Sequence, residues 1–278
     1  MKSTSKKRAG GILAGILIAL FMVLLIFPFY WIFITSVKPE SELYGAVVTY
    51  WPHHITFQAY RELFESFNFI KYMKNSLIVA VVTTCTTLVL ALLAAYAFCR
   101  FRFPGRKFLM GLFLCNNMFP TVLLLIPLYA IMRQWGVLYT PTALILAYTT
   151  FTLPFCVWLL NGYIKDTPVS LEEAAQIDGC NRYQAFMKVF LPIMKPCLVA
   201  TGVYIFMQAW NEYTYASLLS NADSRTITVA LKTLIGQLGV QWDMLTAGGI
   251  ISVVPVCIMF FFAQKRLIEG LTAGAVKG

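Results

Sequence analysis

The sequence predicts an all-α fold, that of a polytopic membrane protein with six transmembrane helices and both termini in the cytoplasm. Of its 278 residues, 59% are hydrophobic and only 12% are charged, whereas about a quarter are charged in a typical soluble domain. The mean hydropathy is +0.72. This composition excludes a disordered chain, a secreted disulfide scaffold and a cytosolic enzyme. Six charge-free apolar runs supply the helices, at residues 9–37, 75–99, 108–132, 134–164, 196–211 and 244–264.

Five of these runs reach the ~20 residues that a helix needs to cross a bilayer. The fifth in order, 196–211, is shorter and is followed at once by Glu212. The first run follows a basic start like that of a signal peptide, but its 29 residues exceed the ~7–15 residues of a signal core. We therefore expect residues 9–37 to be a retained first helix with a cytoplasmic N-terminus.

The distribution of basic residues gives the topology. Six spans place 15 of the 22 Lys and Arg residues in cytoplasmic segments, at 1–8, 100–107, 165–195 and beyond 264. This bias follows the positive-inside rule, so the formal charge of +10 reports topology and not a nucleic-acid partner. We expect one membrane domain over 1–278, with a helical core at about 73–268, a cytoplasmic loop at about 165–195 and a tail at 269–278.

Residues for catalysis and metal binding are missing from the sequence. The seven cysteines are scattered without a C-x-x-C pair, and we expect them to pack in apolar surroundings. His53 and His54 are the only histidines and are adjacent, so we expect no metal site. The phosphate-binding motif G-x-x-x-x-G-K-[ST] is also missing. The chain is therefore expected to be neither an enzyme nor a cofactor-binding protein, and any ATP and Mg²⁺ would be bound by a partner.

The cytoplasmic loop at 165–195 predicts two short helices that meet at a glycine. Ser170 and Glu173 have the spacing of a capping box at the start of the first helix. Gly179 follows that helix, where a left-handed residue is easily formed by glycine. Asn181 and Gln184 repeat the capping spacing, and we expect the second helix to end before Pro192.

The first of these helices combines small and acidic side chains. Small residues allow a helix to approach another protein closely, and carboxylates can bind arginine there. A helix resting on lipid headgroups is the alternative, which its acidic residues disfavour modestly. The residues expected to contact a partner are Glu172, Glu173, Ala174, Ala175, Asp178 and Gly179.

This loop resembles the E-A-A-x-x-x-D-G loop found in the permease subunits of ABC importers. The matching residues are Glu173-Ala174-Ala175, Asp178-Gly179, Phe186 and Leu191-Pro192, with two residues between E-A-A and D-G. In that family the loop forms the coupling helix, which binds in a cleft of the ATPase subunit. Exporters of the superfamily lack it, so the resemblance implies import and the type I ABC importer permease fold.

Four further segments resemble the maltose-type carbohydrate permeases, and together they span almost the whole chain. They are residues 36–40 (S-V-K-P-E), 75–77 (N-S-L), 209–213 (A-W-N-E-Y) and 270–278. The resemblance implies a bacterial cell membrane location and a carbohydrate substrate. It also implies two ATPase subunits, an extracytoplasmic solute-binding protein and a second permease, expected to be a different chain. The tail at 269–278 is open to two interpretations, a frayed terminus or a segment that docks on the ATPases.

The fifth helix carries a predicted polar stripe. Its members are Tyr204, Gln208, Asn211, Glu212 and Tyr215. Polar residues inside a membrane face a protein interior or a wet cavity. The stripe would therefore either line a substrate path or bind the partner permease through interhelical hydrogen bonds. Trp210 lies off the stripe and is expected to pack.

The leading hypothesis is therefore the membrane subunit of an ATP-driven carbohydrate importer. One alternative is the same machine with a non-sugar solute. Another is a stand-alone, proton-coupled secondary transporter with Glu212 as the proton relay, which would leave the E-A-A loop without a function.

Overall fold

The computed structural model describes the backbone of residues 2–237 and 239–275 and the side chains of residues 11, 14–237 and 239–265. This part of the chain is mostly helical. Its first half contains α1 Lys2–Ser36, α2 Glu40–Leu43, α3 Gln58–Glu65, α4 Phe69–Arg100, α5 Arg106–Met118, α6 Leu125–Gln134 and α7 Pro141–Asp166. Its second half contains α8 Ser170–Ile177, α9 Arg182–Ala185, α10 Leu191–Ile193, α11 Lys195–Asn211, α12 Thr214–Leu219, α13 Ile227–Lys232 and α14 Trp242–Ala275.

Three shorter elements complete the described chain. A 3₁₀ turn, Thr121–Leu124, precedes α6, and a π-turn, Phe186–Phe190, joins α9 to α10. The two-residue strands β1 Ile235–Gly236 and β2 Gly239–Val240 form an antiparallel hairpin in which Ile235 pairs with Val240. The tail predicted at 269–278 is helical to Ala275, and residues 276–278 lie outside the described residues.

Four described helices are long and apolar enough to cross a membrane: Ala14–Ser36 within α1, α4, α7 and Trp242–Lys265 within α14. Two bent pairs meet the same test when each is counted as one span. Arg106–Met118 and Thr121–Gln134 are bent by 101°, and Arg182–Ile193 and Lys195–Asn211 by 72°. The third apolar run, 108–132, is therefore not one straight helix. The break lies at Phe119, which is extended because the residue before a proline is disfavoured in the helical region.

The chain forms two compact units, described here separately. The first contains the residues up to Phe69 together with Leu231–Val253. Its helix α3 is amphipathic and buries Ala59 and Leu63 on one side. Several hydrogen bonds hold the connection from α1 toward α3. Among them, the Thr56 amide donates to the Val37 carbonyl at 2.9 Å, and the Ser36 and Tyr60 hydroxyls lie 2.9 Å apart.

The second unit, Ile70–Ala230 with the end of α14, contains the candidate functional residues. Every fourth residue of α7 from Leu144 to Ile164 is buried, as expected for one face of a helix at the centre of a bundle. The facing side of α4 carries small buried residues, including Ala91 and Ala95, which allow close approach of the helices. A single apolar core joins α4, α7, the π-turn and α11.

The seven cysteines are all free thiols. Cys156 is buried in the core of the second unit, as expected. The expectation of packing is wrong for Cys85, Cys115 and Cys257, which are exposed. They lie on the apolar helices α4, α5 and α14 and face away from the core of this chain.

Candidate functional site

Residues 165–195, called the coupling segment below, contain the predicted glycine bend. Gly179 follows α8 with a φ of +90°. The Cys180 amide donates to the Ala175 carbonyl at 2.9 Å and the Gly179 amide to the Gln176 carbonyl at 3.1 Å. These two bonds form a Schellman motif, which satisfies the last carbonyls of α8. The left-handed glycine predicted at this position is confirmed.

The second predicted capping box is also confirmed. The Asn181 side chain accepts a hydrogen bond from the Gln184 amide at 2.8 Å, and the Gln184 side chain accepts from the Asn181 amide at 2.9 Å. The chain therefore leaves the bend at Gly179 and enters α9 in a direction fixed by four local hydrogen bonds.

Two boundary predictions in this segment are wrong. Ser170 is the first helical residue of α8 and makes no capping bond, because Val169 is already in the helical region and its carbonyl accepts the Glu172 amide at 2.9 Å. The second helix does not end before Pro192, since Pro192 lies inside α10. The π-turn directly before it changes the hydrogen-bond register at the point where proline has no amide to donate.

The predicted contact residues of α8 divide into two faces. Glu172 and Ala175 are buried, so they point into the protein. Glu173, Ala174, Asp178 and Gly179 are exposed. On the same exposed side, the apolar side chain of Ile177 is 87% exposed. The structure thus gives the coupling segment an outward surface that combines a carboxylate, a small residue and an unpartnered apolar side chain.

The buried carboxylate of Glu172 lies between α8 and the C-terminal end of α4. Its Oε1 accepts a hydrogen bond from Arg100 Nε at 2.7 Å, and its Oε2 accepts one from the Tyr96 hydroxyl at 2.7 Å. The sequence alone predicted Glu172 to contact a partner protein, but in this structure its carboxylate binds the chain's own helix.

A cavity of about 390 Å³ lies further along the same unit. Four of the five residues of the predicted polar stripe line it: Tyr204, Gln208, Glu212 and Tyr215. Asn211 does not, and its side-chain amide instead donates to the Met207 carbonyl at 3.0 Å. Trp210 is buried and stacks on Phe206 with ring centroids 5.6 Å apart, which confirms its packing role.

The stripe does not lie on one continuous helix as predicted. Helix α11 ends at Asn211, and Glu212 is extended. The Glu212 carboxylate accepts the amides of Tyr215 and Ala216 at 2.8 and 2.9 Å, so it caps the start of α12. These two hydrogen bonds explain the break. A side chain that accepts the first amides of a new helix favours the start of that helix at this position.

The residues that form the opposite wall of the cavity were not predicted from the sequence. It is formed by polar residues of α5 and the following 3₁₀ turn and by aromatic residues of α7: Asn116, Asn117, Thr121, Phe151 and Phe155. The Tyr215 hydroxyl donates to the Thr121 carbonyl at 2.5 Å, and the rings of Phe155 and Tyr204 lie 4.7 Å apart. Two adjacent asparagines in a charge-free apolar run were the available signal, since such residues are costly in lipid.

The cavity therefore presents amide groups, a carboxylate and aromatic ring faces within one membrane-embedded unit. Amides and carboxylates bind hydroxyl groups, and ring faces pack on apolar surfaces. This set of groups suits a polar ligand that has many hydroxyls and apolar C–H faces.

Comparisons with known proteins cover almost the whole chain. Over 254 residues it is 37% identical to the sulfoquinovosyl glycerol transport system permease protein SmoH of Agrobacterium fabrum. This alignment covers 91% of this chain and 89% of the relative. It is 33% identical to the trehalose/maltose transport system permease protein MalG of Thermococcus litoralis, over 100% of both chains.

The fold is also found among solved structures. A chain of a bacterial ABC transporter that imports the acidic polysaccharide alginate matches with a TM-score of 0.79 and 25% sequence identity, covering 94% of this chain and 98% of that one. Residues 87–272 match the family described as the inner membrane component of binding-protein-dependent transport systems. These residues include the coupling segment, the cavity and the core between them, and the chain belongs to this family.

Proposed function

We propose that this protein is the membrane-spanning permease subunit of an ATP-driven ABC importer that takes up a carbohydrate delivered by a solute-binding protein. The observation that carries the proposal is the match to a trehalose/maltose permease over the full length of both chains. The chain is thus a multi-pass protein of the inner membrane. A second permease subunit would complete the passage through the membrane.

The cavity lined by Tyr204 and Gln208 supports a sugar as the substrate. Its amides, its carboxylate and its aromatic faces are the groups that bind hydroxyls and the apolar face of a sugar ring. The relatives described above are named for sulfoquinovosyl glycerol and for trehalose and maltose, which are all glycosides. The solved neighbour imports alginate, a polysaccharide.

We propose six spans, with each of the two bent helix pairs counted as one, and both termini in the cytoplasm. The positive-inside bias of the sequence supports this topology. It places the coupling segment on the cytoplasmic side and the connection around α3 outside. It also makes the two compact units parts of one membrane domain over residues 1–278.

In this scheme the chain itself binds no cofactor, and ATP with Mg²⁺ is hydrolysed by two partner ATPase subunits. The exposed residues of α8 would contact the ATPase: Glu173, Ala174, Asp178 and Gly179. Their exposure and the highly exposed Ile177 beside them support this assignment. Small residues at such a surface allow close approach of another protein, and Glu173 offers a partner for arginine.

Purification of the tagged chain from its native membrane in mild detergent, followed by mass spectrometry, tests the proposal. We expect recovery of an ATPase and a second permease with the wild type, and weaker ATPase recovery with the double variant Glu173→Ala and Gly179→Arg. Recovery of the chain alone, together with solute uptake that ignores ATP depletion, would contradict the importer and favour a proton-coupled secondary transporter.

A further inference from the structure

A buried ion pair joins the coupling segment to the membrane helices of the same chain. Arg100 and Glu172 meet at 2.7 Å, and their side chains are only 6% and 7% exposed. The other ion pairs of the described residues, Arg61 with Glu65 and Lys71 with Asp223, are both at the surface. Tyr96 donates a second hydrogen bond to the same carboxylate. Tyr96, Arg100 and Glu172 are called the clamp below.

The clamp also reaches the end of α7. The Arg100 guanidinium donates to the Thr167 carbonyl at 3.0 Å and to the Ile164 carbonyl at 3.5 Å. One side chain therefore holds the cytoplasmic end of α4, the end of α7 and the first turn of α8 together. A guanidinium suits this role because its five donors have a fixed planar arrangement.

Aromatic contacts extend the same junction to the second half of the coupling segment. The Tyr96 ring packs edge-on against Phe186 and Phe190, with centroids 4.8 and 4.9 Å away. Arg182 lies over the ring of Phe101 at 4.4 Å. Both short helices of the segment are thus fixed to the cytoplasmic end of α4.

A buried ion pair contributes little net stability, because desolvation of the two charges offsets their attraction. It does impose one geometry, since any displacement that separates the partners leaves an uncompensated charge in an apolar core. The core that contains Tyr96 includes Phe190, Leu160 and Ile164, which offer no alternative hydrogen bond from their side chains. The clamp therefore resists motion of α8 relative to α4 far more than apolar packing alone would.

We propose that Tyr96, Arg100 and Glu172 are positioning residues that make α8, the end of α7 and α4 move as one body when the ATPase displaces the coupling segment. The inference rests on the proposed function, because it concerns how force from an ATPase reaches the membrane. It assigns Glu172 and Glu173, adjacent residues of the same type, to different tasks. Glu173 faces the ATPase, and Glu172 transmits its motion.

The test uses the complete complex purified from the native membrane, with spin labels on Leu171→Cys and Leu93→Cys. Both side chains are exposed, one on α8 and one on α4. The native cysteines are replaced in this background. Pulsed electron resonance then measures the distance between the labels without nucleotide and after trapping with ATP and vanadate. In the otherwise wild-type chain we expect the same narrow distance in both states.

Glu172→Gln removes the negative charge and leaves Arg100 buried without a counter-ion. We expect this variant to retain the ATPase, and its label distance to shift on trapping by about 5 Å, one helical turn. Asp166→Asn is the matched control, because it removes an exposed carboxylate from the same segment and should leave the distance unchanged. An unchanged distance in Glu172→Gln, or loss of its ATPase, would overturn the proposal.

A paired variant separates positioning from stability if Glu172→Gln fails to accumulate. Arg100→Met with Glu172→Met leaves no buried charge and keeps the side-chain volume, so the pair should fold. We still expect its label distance to shift on trapping, because apolar contacts lack a fixed direction. A distance as constant as in the wild type would overturn the clamp. A wild-type preparation without any ATPase would overturn the proposed function as well, which distinguishes the two failures.

Discussion

At the scale of single residues, glycine is needed at position 179 because of its backbone conformation. A Cβ at this position would meet no atom within 4 Å, so steric crowding does not exclude a larger side chain. The requirement for glycine comes only from the φ of +90°, which costs most residues about 1–2 kcal/mol. The bend between α8 and α9 thus depends on the backbone alone.

This cause predicts a graded series of substitutions at Gly179. We expect Gly179→Val to destabilise the bend by at least about 1–2 kcal/mol, since β-branched residues avoid left-handed backbone. Gly179→Asn should be close to wild type, because asparagine enters this region several-fold more often. Co-purification of the ATPase measures the effect. Equal losses with Asn and Val would show that the position requires a small surface and not a left-handed residue.

The cavity offers a second comparison between single residues, since Gln208 and Asn211 are both amides near the end of α11. Gln208 lines the cavity, whereas Asn211 does not. Loss of one hydrogen bond to a sugar costs roughly 1 kcal/mol, so we expect Gln208→Ala to raise the KM for uptake about fivefold. Asn211→Ala is the control and should leave KM unchanged.

Uptake is measured with the sugar that the wild type accumulates from a radiolabelled panel of mono- and disaccharides. A larger effect of Asn211→Ala than of Gln208→Ala would place the substrate path outside this cavity and favour the partner-interface interpretation of the polar stripe.

At the scale of elements, α12 depends on a carboxylate from outside its own helix. Glu212 accepts the amides of Tyr215 and Ala216, so Glu212→Ala should destabilise the protein by about 1 kcal/mol, as for other lost caps. Glu212→Gln keeps one acceptor oxygen and should retain most of that stability. Thermal unfolding in detergent measures both variants. If Glu212→Gln abolishes uptake with no loss of stability, the negative charge itself is needed for transport.

Hydropathy predicted the long helices well and their interruptions poorly. Residues 75–99 fall inside α4 because an uninterrupted apolar run in lipid can satisfy its backbone only as a helix. The breaks at Phe119 and Glu212 depend on proline sterics and on one carboxylate reaching two amides. These are local competitions that a count of apolar residues does not contain.

The residues of the candidate site were also predicted only in part from the sequence. Spacing identified Tyr204 and Gln208 because both lie on one helix with a known period. Asn116 and Thr121 were missed, since the 101° bend that brings them to the cavity is a tertiary feature. Spacing also could not separate Glu172 from Glu173, because the inward direction of α8 is set by Arg100 on a distant part of the chain.

At the scale of the whole molecule, the proposed topology makes a direct labelling prediction. In a background without native cysteines, Glu65→Cys should react with a membrane-impermeant maleimide in intact spheroplasts, because it would lie outside the membrane. Asp166→Cys should react only after the membrane is permeabilised. Both side chains are exposed, so access is limited by the membrane and not by burial. Labelling of Asp166→Cys in intact spheroplasts would contradict a cytoplasmic coupling segment.

The two faces of α8 also have a consequence for how the proposed importer would pair with its ATPase. Positions that face outward, such as Glu173 and Ile177, are free to diverge without disturbing the buried contacts of Glu172. A change at Glu172, in contrast, requires a matching change at Arg100 in another helix. If α8 contacts the ATPase as proposed, a different ATPase can be recognised after exchange of a few exposed residues of one short helix, while the buried junction with α4 stays unchanged.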